Sequence, residues 1–137
     1  MYRATIVHND GSTEYFFEEG CFITEWWNSA DDPDVSVARA RVPPGGTTRW
    51  HRLTGVIERY VVLDGEGLVE IGDAMAERVV AGCVVVIPAG VPQRITNTGA
   101  ADLIFLAICT PRFRQIIYED LVGDAAAPDM PVRPASS

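Results

Sequence analysis

Histidine is scarce in this chain: only His8 and His51 occur among 137 residues. That excludes any centre built from three imidazoles of one chain. Cysteine is scarce as well. The three thiols, Cys21, Cys83 and Cys109, are odd in number and include no CxxC pair. Cys83 and Cys109 lie inside apolar runs, as small core residues do in a protein of a reducing compartment. Basic charge is short: 11 basic against 19 acidic residues leave a net charge of −8. A protein of nucleic acid or of anionic membranes would want a basic face, so neither partner is expected. Long hydrophobic runs are missing too. The longest, Leu103 to Cys109, has seven residues, against the ~20 that a membrane helix requires. No signal-peptide core is seen near Met1, and the expectation is a soluble cytoplasmic protein. Up to Thr110 there is no convincing helical period, and no internal repeat or linker divides the chain.

What is present is a globular composition, 47% hydrophobic and 22% charged, in a chain long enough to bury one core. Short β-type stretches alternate with turn signals. Thr13 to Trp27 is rich in aromatic and β-branched residues and reads as two short strands broken at Glu19-Gly20. Asn28 to Asp34 is a loop. Val35 to Val42 reads as a strand stopped by Pro43-Pro44-Gly45-Gly46, and Thr47 to Leu53 is extended. Ile57 to Leu63 and Leu68 to Ile71 flank Asp64-Gly65-Glu66-Gly67, which has hairpin chemistry. Arg78 to Val80, Cys83 to Ile87, Gln93 to Thr96 and Leu103 to Cys109 complete the series. Many short strands with regular turns predict an all-β sandwich or barrel of about six to ten strands. The expected division is a barrel with an N-terminal strand arm over 1–110, a short helix or wrapping segment over 111–124, and a flexible tail over 125–137.

Two blocks of fixed spacing stand in the middle of the chain. The first is Gly45, five residues, His51, one residue, Leu53, four residues, Glu58, six residues, Gly65. The second is Gly82, five residues, Pro88, one residue, Gly90, two residues, Gln93, three residues, Asn97. These blocks resemble the two motifs of the cupin superfamily at eight of ten fixed positions. The departures are Leu53 and Gln93, each standing where that family has a histidine. The resemblance implies a single-domain double-stranded β-helix, the jelly-roll barrel. It also implies that His51, Glu58 and Gln93 converge inside the barrel mouth as ligands of a divalent transition metal (Zn, Mn, Fe, Co or Ni). Small cupins commonly pair, and Tyr15 to Trp27 offers aromatic surface for it, so a homodimer is expected.

Alternation along strands extends the site. Arg49 and Leu53 should share the inward face of His51, with Trp50 and Arg52 outward. Arg49 is the candidate anchor for an anionic ligand group, or else the ion-pair partner of Glu58. Tyr60 shares the face of Glu58 and is a candidate hydrogen-bonding or weakly acidic group. Phe105, Ala107 and Cys109 share one face of the last strand, placed towards the lumen, so Phe105 and Cys109 are candidate ligand contacts. Gly65, Pro88, Gly90 and Asn97 read as turn formers. A second imidazole at the centre would need the arm to carry His8 to the mouth.

Three functions follow. The leading one is a metal-dependent cupin acting on a small oxygen-bearing organic ligand, of dioxygenase, isomerase, decarboxylase or lyase type. The second is a metal-free barrel, either an acid–base epimerase or cyclase or a non-catalytic binding module. The third is an interaction module.

Overall fold

The computed structural model describes residues 3–17 and 20–121. Eleven strands are found there: β1 (Tyr15–Phe17), β2 (Cys21–Trp27), β3 (Ser36–Val42), β4 (His51–Leu53), β5 (Ile57–Asp64), β6 (Glu66–Ile71), β7 (Glu77–Val80), β8 (Val84–Ile87), β9 (Gln93–Asn97), β10 (Leu103–Thr110) and β11 (Tyr118–Asp120). The count exceeds the expected six to ten by one strand, β11, a three-residue pairing at the margin of the second sheet. No α-helix occurs among the described residues. A 3₁₀ turn, Gln115–Ile117, leads into β11, and the expected tail over 125–137 lies outside the described residues. No described helix is long and apolar enough to cross a membrane.

The strands form two antiparallel sheets. One runs β1-β2-β3-β10-β5-β8 and the other β11-β4-β9-β6-β7. From β3 onward the chain crosses between the sheets at each step except the β6–β7 hairpin, which is the jelly-roll architecture. The inward residues of both sheets meet in one core that includes Val42, Val62, Ile87, Ile95, Leu103 and Phe105. A smaller apolar cluster, Leu53, Val56 and Cys109, continues it towards the mouth, with Phe113, Ile117 and Tyr118 packed on it.

Turn chemistry sets the registers. Gly65 opens the β5–β6 hairpin at φ 85°, and a Cβ there would sit 2.7 Å from the Asp102 carbonyl oxygen, so both conformation and space demand glycine. Asn97 is buried and stitches the loops below the barrel. Its amide donates to the carbonyls of Val42 and Ala101 at 2.8 Å, and its oxygen accepts from Gly99 N–H. This accounts for Asn97 without a site role.

Candidate functional site

The site sits between the sheets at the end closed by the 3₁₀ turn and β11. On β4, His51 is paired with Gln93 of β9 on one side and Asp120 of β11 on the other. On the opposite sheet, Glu58 of β5 lies beside Cys109 of β10. Glu58 shares its face with Tyr60, as alternation requires. The two sheets therefore carry His51 and Gln93 from one side, and Glu58, Tyr60 and Cys109 from the other, towards one interior.

A hydrogen-bonded chain joins these groups. Tyr60 O–H donates to Gln93 Oε1, and Gln93 Nε2 donates to Glu58 Oε1 at 2.7 Å. The Cys109 thiol faces Glu58 Oε2 at 3.8 Å. The network sets the amide orientation of Gln93. Reversed, its carbonyl oxygen would meet a carboxylate oxygen, acceptor against acceptor. His51 is buried, stacks on Tyr118 at 5.1 Å, and has Nδ1 2.6 Å from the Arg49 carbonyl oxygen. A carbonyl only accepts, so Nδ1 bears the proton and the neutral ring keeps its lone pair on Nε2. Burial lowers the His51 pKa, opposed by the Glu58 charge, the Arg49 carbonyl and the Asp120 charge.

The cavity beside these groups holds about 40 Å³ of free volume, room for waters or a small chemical group. His51, Glu58 and Cys109 line it together with Glu25 and Ser36. Its walls are otherwise aromatic and aliphatic: Tyr15, Phe17, Phe113 and Tyr118, with Ile23, Leu53, Ala38 and Ala107. Phe17 meets Tyr118 and Phe113 edge-on at 5.2 and 6.1 Å.

Three expectations need correction. Arg49 does not face inward. The chain bends at Trp50 before β4 begins, so the alternation that put Arg49 beside His51 fails. Its guanidinium instead pairs with Asp120 at 2.8 Å, and it meets neither Glu58 nor the cavity. Trp50, expected outward, is buried with the Arg94 guanidinium 5.6 Å from its ring centre. Phe105 does face the interior, but it packs against Tyr60 in the core and is not among the lining residues. His8 is exposed in the arm and does not line the cavity. Tyr118, Phe17, Phe113 and Glu25 are the contacts that motif spacing does not reveal. Parity along β2 signals Glu25, which shares the face of Cys21 and Ile23; nothing local signals Tyr118.

The donor set does not fit a resident transition metal. Among the described residues, no group of three or more His, Cys, Asp or Glu is arranged to hold one. Leu53 offers no donor. Gln93 turns its N–H groups, which have no lone pair, towards Glu58, while its carbonyl is held by Tyr60.

Known proteins agree with this architecture. The chain is 37% identical over 71 residues to the oxalate-binding protein of Thermotoga maritima, and the match spans 52% of this chain and 58% of that protein. The fold superposes on the structure of a predicted oxalate decarboxylase from Thermotoga maritima with a TM-score of 0.69 and 25% identity, covering 78% of this chain and 99% of that one. It also superposes on KdgF from a Halomonas species, with a TM-score of 0.71, 15% identity, and 83% and 99% coverage. The family model for the cupin domain matches residues 38–109, more than half of the chain and both motif blocks, and the chain belongs to the cupin family.

Proposed function

We propose that this cupin binds a small organic ligand in its barrel and carries out proton transfer on it through His51 and Glu58, without a resident metal. The observation that carries this reading is the Gln93 amide, which donates to Glu58 from the position where a metal-binding cupin would carry a histidine. His51 Nε2, with its tautomer held by the Arg49 carbonyl, is the proton acceptor. Glu58, held by Gln93 and Cys109, is the second proton-transfer group. Tyr60 acts through Gln93, orienting the amide that positions the carboxyl. Isomerisation, epimerisation and elimination are reactions of this kind. The chain is also proposed to act as a homodimer.

Metal titration tests the reading. Calorimetry with Zn, Mn, Fe(II), Co and Ni should show no stoichiometric binding at micromolar concentration to the wild-type protein. The double variant Leu53→His, Gln93→His should gain it, because two imidazoles replace an isobutyl group and an amide. Nitrogen-15 spectra at neutral pH should show His51 as the Nδ1-protonated neutral tautomer. Stoichiometric metal binding by the wild type would restore the metal-dependent reading.

A further inference from the structure

We propose that the ligand of this cavity carries a positively charged organic ammonium group. The inference deepens the reading above and rests on it, since a resident divalent cation would reverse the field in the cavity.

Two carboxylates, Glu25 and Glu58, line the cavity, and no Arg or Lys does. The chain has no lysine at all. Three arginines on neighbouring segments are directed elsewhere. Arg49 pairs with Asp120 at 2.8 Å, and Arg52 pairs with Glu119 at 2.9 and 3.0 Å. Arg112 donates to Asn28 Oδ1 at 2.9 Å, and the Asn28 amide in turn donates to Glu25 at 3.1 Å. Arg112 thus reaches Glu25 only through Asn28, and neither Arg112 nor Asn28 lines the cavity. A carboxylate ligand would meet two like charges with no cation to receive it.

The walls favour the opposite charge. Tyr15, Phe17, Phe113 and Tyr118 line the cavity, and aromatic faces attract cations. Glu58 lies at the inner end and Glu25 on the exposed side, so negative charge marks the path inward. A free volume of about 40 Å³ suits an ammonium head with a few carbon atoms. Oxalate, which gives the Thermotoga maritima relative its name, is a dianion and is excluded by the same argument.

The test uses three probes of one carbon skeleton: isobutylammonium, isobutanol and isobutyrate. Each is titrated into the protein at neutral pH with a chelator present, following the backbone amides of Glu25, His51, Cys109 and Tyr118 by NMR. The ammonium should bind about tenfold more tightly than the alcohol, with the carboxylate weakest. Glu25→Gln lies on the exposed side and keeps an oxygen to accept from Asn28; it should weaken the ammonium by about two- to fivefold and change the alcohol little. Glu58→Gln should weaken the ammonium further. The inference is overturned if the alcohol or carboxylate binds tightest, if neither substitution weakens ammonium binding, or if no probe binds. Because chelator is present throughout, the charge order is measured independently of the metal titration, and either reading can fail alone.

Discussion

His51 is held neutral by its surroundings, and this has a consequence for stability. Burial lowers its pKa below the ordinary 6.5, so between the folded and unfolded values the unfolded chain binds more protons. Stability therefore rises with pH through that window and is lost as pH falls below about 6.5. Melting temperatures of wild type and His51→Gln measured from neutral pH downward should diverge in slope, the variant being flatter. Equal slopes would show that His51 is not the buried neutral group. Tyr60→Phe tests the neighbouring link. It leaves the Gln93 carbonyl without its buried donor and should cost about 1–3 kcal/mol in denaturant unfolding. At this scale the sequence was legible where chemistry and spacing coincide. His51, Glu58 and Gln93 stand at fixed distances from glycines whose turns set the strand register, and the structure brings them together. Arg49 was misread because period-two alternation holds only inside a strand, and a bend at Trp50 intervenes.

Most of the elements could be read directly, since β-branched and aromatic runs are separated by Gly, Pro, Asn and Asp turns. β11 could not. Its three residues, Tyr118–Asp120, have no period of their own and become a strand only because β4 offers an open edge. That pairing brings Tyr118 onto His51 and places Asp120 and Glu119 against Arg49 and Arg52. The two ion pairs are exposed at the surface, so each should contribute little, about 0–1 kcal/mol. Arg49→Ala should accordingly shift the melting temperature slightly and leave probe binding in the cavity unchanged. A large loss of binding would return Arg49 to the site.

For the whole molecule, the two sheets differ in what they show to solvent. The outer face of the six-stranded sheet carries Leu63, Val84 and Val86 at 45, 59 and 58% exposure, with Val61 paired to Val84 across β5 and β8. The dimer surface expected from the sequence was the Tyr15 to Trp27 stretch. In the structure Phe17 lines the cavity and Cys21 and Ile23 are core, which leaves Tyr15 and Phe16 as its exposed large apolar groups. The proposed homodimer should therefore form through the outer sheet face. Light scattering should give twice the 14.9 kDa chain mass, and Val84→Glu with Val86→Glu should return the protein to monomer. A wild-type monomer at micromolar concentration would rule the dimer out.

The pairing of β11 with β4 also bears on how the protein is made. Asp120 meets His51, and Tyr118 meets Leu53, across 68 and 64 intervening positions. At ~5–20 residues per second, a ribosome needs roughly 3–13 seconds to travel from Leu53 to Tyr118. During that interval the apolar lining contributed by Phe17 and Leu53 has no lid, and His51 lacks the aromatic ring it stacks on. The candidate site is thus the last part of the described barrel to be completed in synthesis. The newborn chain passes through a stage with this apolar lining uncovered each time it is translated, and that is the stage at which a chaperone would have surface to hold.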